Sequence, residues 1–375
     1  MADNKNFSVA LSTIAGSSFP NILKVFRNQK VDNDFIGRKL SAYAVSLVCE
    51  PFRWWEELRY GSAVNAVKVP ESPVFILGHW RSGTTLLHNI ISQDPQFAYV
   101  TTYQGVFPNH LLGSKWLFRN IMKALMPEKR PSDNMALSPE FPQEEEFALG
   151  NICPYSFYNF WYFPNNSLAF YDQYIRFENT GPEVRKGWIE SYIKLMKTSM
   201  YYHGKQEFVS KNPPHTGRIK ILLEAFPNAK FIYIYRNPIT VFESTKKLIS
   251  STINALNFQH VDEAWIEDTV FEFYKRIITD YENNKHLIPK GNLVEVKFEE
   301  FEKDMVGGLE SIYETLNLKG LNNAKPLFQQ YADSQKKYKK NAYKFSRNKV
   351  QLIQKHWGFS MEQYGYGLPE GMELV

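Results

Sequence analysis

Pro73-Val-Phe-Ile-Leu-Gly-His-Trp-Arg-Ser-Gly-Thr-Thr-Leu-Leu-His88 is the stretch whose reading decides the fold. Val74 to Leu77 form a short apolar run of the kind a buried parallel strand needs, and Leu86, Leu87, Ile90 and Ile91 repeat at helical spacing from Thr84 onward. Gly78 and Gly83 bracket the loop between them and let the backbone turn its N–H groups inward. With Thr84 and Thr85 at the start of a helix, amides, hydroxyls and the positive end of the dipole converge on one anion. The spacing Gly78-x-x-x-x-Gly83-Thr84-Thr85 is that of a P-loop with threonine in place of the lysine that stabilises the β- and γ-phosphates of ATP. Arg81 can supply the missing charge. The plainer alternative is a strand-to-helix turn with no ligand.

Composition narrows the classes. Aromatic residues make up 15% of the 375, far too many for a chain that stays unfolded. Forty-four basic against 39 acidic residues give +5, too mild for nucleic-acid binding without a local basic stripe, so a small anion suffices. No apolar run suits a signal peptide or a spanning helix. Cys49 and Cys153, far apart, make neither a disulfide framework nor a zinc site and fit a reducing cytoplasm.

Residues 1 to 70 read as a helical extension packed on a single domain over 71 to 375. Ile36 to Leu58 mixes apolar and basic positions around Phe52, Trp54 and Trp55; packing is the first reading and a peripheral membrane contact the second. Phe97 to Thr102 reads as a second strand. Pro127, Pro131, Pro139 and Pro142 rule out a continuous helix over 127 to 142. Glu144, Glu145 and Glu146 then open a helix, as acids that complement a dipole do. Residues 154 to 174 hold the densest aromatic patch, read as core or as the lining of a lipophilic acceptor pocket. Helices are expected over 183 to 203, 263 to 286 and 305 to 317, a strand over Leu293 to Phe298, a basic stretch from Lys336 to Arg347 and a last helix to Tyr364.

Glu207 to Tyr235 reads as strand, loop, helix and strand, which predicts a parallel pairing with a right-handed crossover and sites at the carboxyl ends of the strands. The fold class is therefore α/β: a P-loop-like parallel sheet flanked by helices, with helical extensions at both termini. Lys211 and Arg236 sit at two strand ends and Arg81 just beyond a third, so three cations gather on one edge. Beyond Arg236, Pro238 opens a helix that carries Ser244 about two turns along.

Taken together, these residues resemble the sulfotransferases that use 3′-phosphoadenosine 5′-phosphosulfate (PAPS), especially a bacterial branch related to tyrosylprotein and carbohydrate sulfotransferases. The resemblance spans roughly residues 72 to 365. It implies that Arg81, Ser82, Gly83, Thr84 and Thr85 hold the 5′-phosphosulfate. Arg236, with Ser244 eight positions later, matches the 3′-phosphate element, and Lys211 before Asn-Pro matches a lysine at the sulfonyl group. It also implies a PAPS-dependent enzyme that needs no metal, since a sulfonate in transit bears less negative charge than a phosphoryl group.

The general base is the weakest match. Tyrosylprotein enzymes carry a glutamate about twenty residues after the loop, where this chain has Thr101 and Thr102. The histidine of cytosolic members, about sixty residues after it, falls on the run Gln143 to Glu146. Glu144 is the first choice, then Glu146, then His110; His79 and His215 border the phosphate loops as supporting donors. The aromatic patch favours a hydroxylated lipid, sterol or phenol as acceptor. Rival readings are a carbohydrate sulfotransferase, a magnesium- and ATP-dependent P-loop kinase, and a non-catalytic lipid- or protein-binding module.

Overall fold

A computed structural model describes residues 13–126, 137–336 and 345–369. Pro127 and Pro131, and most of the basic stretch from Lys336 to Arg347, lie outside them. The chain interleaves two compact units. One comprises the described residues up to Pro70 with Phe97–Ser210 and Ser251–Val261; the other comprises Glu71–Gln96, Lys211–Ser250 and the described residues from Asp262 on.

The strands are β1 (Val74–Leu77), β2 (Phe97–Ala98), β3 (Glu207–Lys211), β4 (Lys230–Tyr235) and β5 (Leu293–Lys297). All the pairings within each unit are parallel. In the second unit β4 is central, with Val74 of β1 opposite Lys230 on one side and Leu293 of β5 opposite Phe231 on the other. Every residue of β1 and the four middle residues of β4 are buried, as continuous apolar runs in a covered parallel sheet should be. In the first unit β2 pairs with β3. The α/β class expected from the sequence is what forms.

Two local expectations change. Phe97 to Thr102 is a strand only as far as Ala98, because the Thr101 hydroxyl accepts the Gln104 amide at 3.1 Å and caps a helix over Thr102–Val106. The direct pairing expected of Glu207–Lys211 with the strand ending at Tyr235 is not made: β1 and β5 occupy both edges of β4. Elsewhere the helices over Pro182–His203, Glu263–Asn284, Met305–Thr315 and Arg347–Gln363 fall where the periodicity puts them.

The aromatic patch is largely core. Phe157, Phe160, Phe163 and Tyr171 are fully buried, and the rings meet one another, Phe160 and Trp161 with centroids 4.1 Å apart. The long helix Ile36–Asn65 meets the packing expectation at Phe52, which sits edge-on to Phe118, and departs from it at its tryptophans. Its inward stripe is Ala42, Ser46, Cys49, Glu50, Glu56 and Val64, whereas Trp54 and Trp55 are exposed by 64% and 47%. Glu56 faces inward because its carboxylate accepts the backbone amides of Leu112, Gly113 and Ser114 at 2.7 to 3.3 Å. A glutamate there replaces water for three otherwise orphaned donors.

His110 lies in this unit, stacked on Phe118 at 4.5 Å, with Nδ1 3.5 Å from the Ser114 hydroxyl. Burial pushes its pKa down to about 4, and nearby Glu50 opposes that only in part. The imidazole is therefore neutral in the fold and takes up a proton on unfolding once the pH drops below 6.5, its ordinary value. Its contribution is intact above pH 6.5 and is lost as the pH falls towards 4, up to about 3 kcal/mol. Thermal melts between pH 7 and 4.5 should show His110→Asn falling less steeply than the parent; an equal slope would assign the acid sensitivity elsewhere.

Candidate functional site

The end of β1 and the loop after it are shaped by close approach. Gly78 has φ +146°, and a Cβ there would stand 2.5 Å from the carbonyl oxygen of Ile234 in β4, so only glycine fits. Its amide donates to Thr216 Oγ1 at 2.8 Å, and the Thr216 hydroxyl lies 3.2 Å from its carbonyl. This pair fastens the segment that follows Lys211 to the start of the loop. The loop then closes on itself, with the Ser82 amide and hydroxyl both donating to the His79 carbonyl, at 3.2 and 2.7 Å.

Arg81 stands in the left-handed region at φ +70°, which costs a non-glycine residue about 1 kcal/mol or more. Gly83 follows at φ +102° and begins the helix Thr84–Ile91, whose first internal bond runs from the Leu87 amide to the Gly83 carbonyl at 3.1 Å. The amides of Thr84, Thr85 and Leu86 thus precede the helical ladder, at the positive end of its dipole.

Two residues far along the chain meet this loop. The guanidinium of Arg81 donates through Nε to Ser244 Oγ at 2.6 Å; Ser244 is buried in the helix Pro238–Leu256. Arg236, just past β4, donates to the Arg81 carbonyl at 3.3 Å, and its guanidinium lies 4.3 Å from the centre of the Phe298 ring. The same ring covers Gly83, where a Cβ would come within 2.2 Å of it. Phe298 therefore sets both the glycine and the arginine, a role its place just after the strand Leu293–Lys297 did not signal.

Lys211 ends β3 and is 1% exposed. Burial holds the His88 imidazole well below its ordinary pKa, and the Lys211 charge pushes the same way, which brings this lysine electrostatically close to the loop's helix. His215 Nδ1 lies 3.4 Å from both the Asn212 amide nitrogen and an Arg218 guanidinium nitrogen. His79 is also buried and neutral, its pKa pushed down to about 4 by burial. Arg81, Ser82, Gly83, Thr84, Thr85, Lys211, Arg236 and Ser244 all belong to one unit. Guanidinium, ammonium, hydroxyl and unladdered amides in one body form a donor set suited to a multiply anionic molecule.

The candidate bases lie in the other unit, on the helix Glu145–Ile152 and its approach. Glu144 is the N-cap residue, partly exposed, and its carboxylate accepts the Tyr158 hydroxyl. Glu145 accepts from Ser210 Oγ at 2.6 Å and the Tyr192 hydroxyl at 3.1 Å; Glu146 accepts the Phe157 amide at 2.7 Å and the Ser156 hydroxyl at 3.1 Å. Both are fully buried. His110 is 2% exposed among the rings described above.

Comparison with known proteins bears on this arrangement. The Sulfotransferase family matches residues 73–322. The omega-hydroxy-beta-dihydromenaquinone-9 sulfotransferase Stf3 of Mycobacterium bovis is 30% identical over 325 residues, 86% of this chain and 82% of the relative. Among solved structures, sulfotransferase STF9 from Mycobacterium avium superposes with a TM-score of 0.71 at 16% identity, covering 98% of this chain and 99% of that one. STF1 from Mycobacterium tuberculosis H37Rv gives 0.66 at 16%, with 90% of each chain covered. At such identities the two structures speak for the fold alone. The family match begins at Pro73, on the approach to β1, and runs past Arg236, Ser244 and Phe298: the chain belongs to the sulfotransferase family.

Proposed function

We propose that this sulfotransferase moves the sulfuryl group of PAPS to a hydroxyl of a lipophilic small molecule. The observation that carries the donor assignment is the meeting of Arg81 with Ser244 and Arg236, more than 150 positions away, beside a loop built for an anion. An adenosine bisphosphate presents anionic groups at two ends, and the chain offers two sets of donors. Loop residues Arg81 to Thr85 take the 5′ end; Arg236 and Ser244 take the 3′-phosphate that distinguishes PAPS from ATP. The donor brings an activated sulfuryl group whose departure leaves charge on the bridging oxygen. Lys211 and Arg81 stabilise that charge, and their placement on folded elements lets them do so without reorganising. Thr84 in place of the P-loop lysine weakens the kinase alternative, as the sequence implies.

Glu144 is the base we favour for the acceptor hydroxyl. It is the partly exposed member of its run, whereas Glu145 and Glu146 accept backbone or hydroxyl donors in full burial. A Tyr158 hydroxyl bonded to it holds the carboxylate oriented. Glu146 and His110 rank behind it. The acceptor class rests on the Mycobacterium bovis relative, whose name records a hydroxylated dihydromenaquinone. A cytoplasmic setting is inferred from two buried cysteines that form no disulfide. Among the described residues no helix is long and apolar enough to cross a membrane.

Thermal-shift measurements test the donor. PAPS and its desulfonated bisphosphate should raise the melting temperature, by the equivalent of about 2.7 kcal/mol at a hundredfold excess over Kd. ATP with magnesium should not; the reverse pattern returns the loop to kinase chemistry. Arg236→Ala should weaken binding of the bisphosphate by about 10- to 100-fold, the loss of a charged hydrogen bond worth about 1.5–3 kcal/mol, while the acceptor KM stays put. Equal losses for both ligands would remove Arg236 from the 3′-phosphate. Glu144→Gln should lower kcat about 10²- to 10⁴-fold with bisphosphate affinity unchanged. A Gln variant that keeps its activity passes the role to Glu146 or His110.

A further inference from the structure

The helix Ile36–Asn65 is built inside out. At 100° per residue, Ile36, Leu40, Leu47, Trp54 and Leu58 fall on one stripe within about 40°, and every one faces solvent, exposed by 46%, 60%, 54%, 64% and 87%. Val48, Phe52 and Trp55 widen that stripe to one side and are also exposed. The opposite, inward stripe contains Ser46, Glu50 and Glu56. A helix in water normally turns these sides the other way, so the outer stripe is shaped for something other than water.

Charge identifies the occupant. Of the helix's three acids, Glu50 is buried against the Arg53 guanidinium and the Phe19 amide, and Glu56 is buried on the amides of Leu112 to Ser114. Glu57, the third, is paired with Lys194 at 2.7 Å. Arg59 is exposed. Three helices of the same unit pack against this one: Phe19–Phe26 through Phe26 on Tyr43, Lys115–Leu125 through Phe118 on Phe52, and Pro182–His203 through Tyr201 on Tyr60 and Lys194 on Glu57. Pro182–His203 carries Glu183 and Glu190 beside Arg185, Lys186, Lys194 and Lys197, whereas the first two carry lysine or arginine and no acid. They add exposed Lys24 and Lys123, and the second adds Trp116, exposed by 71%.

From this geometry we infer that the outer stripe of Ile36–Asn65 docks the protein in the plane of an anionic lipid surface. Trp54, Trp55 and Trp116 supply amphipathic rings suited to the headgroup boundary, Leu40, Leu47 and Leu58 supply the apolar contact below it, and the basic residues meet the lipid phosphates. From Ile36 to Leu58 the stripe runs about 33 Å at 1.5 Å per residue, long enough to lie along a bilayer. A second copy of the chain fits less well, because a two-fold pairing of this face would set its exposed Lys24, Arg59 and Lys123 against their own copies.

The test uses the full chain and needs neither donor nor acceptor, so it fails or succeeds independently of the sulfotransferase reading. Sedimentation with large vesicles of phosphatidylcholine, with and without phosphatidylglycerol, should show binding that needs the anionic lipid and weakens as salt is raised. Trp54→Glu combined with Leu58→Glu should reduce binding about tenfold or more. Both side chains are mostly in solvent, so the double variant should melt with the parent. Absence of binding to anionic vesicles, or equal binding by the double variant, overturns the proposal. So does a concentration-dependent dimer in analytical ultracentrifugation that the double variant dissolves, which would give the face to a second copy.

Discussion

The left-handed turn at Arg81 is the constraint on which the proposed anion site depends. An arginine does not adopt that backbone without help, and here the surrounding structure holds it on three sides: Ser82 closes the loop onto His79, Ser244 accepts the Arg81 side chain, and Arg236 donates to the Arg81 carbonyl. Strain of this kind persists only where neighbours over-determine it. The return is geometric. Turning the backbone at Arg81 lets Gly83 and the first turn of the next helix present their amides to one side while the guanidinium reaches Ser244.

Phe298 holds this arrangement from beneath. It leaves Gly83 no room for a side chain and gives Arg236 a flat apolar surface. A guanidinium stacked on a ring can turn its edge donors to oxygen acceptors, which suits the phosphate-binding role proposed for Arg236. β4 and β5 pair in register from Phe231 opposite Leu293 to Tyr235 opposite Lys297, so the arginine after one strand and the phenylalanine after the other emerge together. Sheet pairing thus converts two remote sequence positions into one support.

The three consecutive glutamates show how fold distributes roles among like residues. All lie at the start of one helix, where acids are favoured by its dipole. Glu145 and Glu146 point into the unit and accept hydroxyl or amide donors, which satisfies buried polar groups that would otherwise cost stability. Glu144, one position earlier and outside the regular helix, keeps exposure and a tyrosine partner. The inverted helix makes the same point on a larger scale. Glu50 and Glu56 are drawn inward by the amides of Phe19 and Leu112 to Ser114, and its leucines and tryptophans are left outward.

Local chemistry alone determined a good deal about this protein. The apolar runs of β1 and β4, the two glycines of the loop, the missing P-loop lysine and the eight-residue step from Arg236 to Ser244 are readable because strand burial, tight turns and helical pitch act over a few neighbouring residues. Tertiary structure alone decided which strands β4 would pair with, that Phe298 would lie under Gly83 and Arg236, that Thr216 would fasten the Lys211 segment to Gly78, and which face of Ile36–Asn65 would meet solvent. Each of these is a contact between positions tens to hundreds of residues apart. No periodicity within a helix states which of its faces the rest of the chain will cover, because that is settled by the partners that arrive from elsewhere in the sequence.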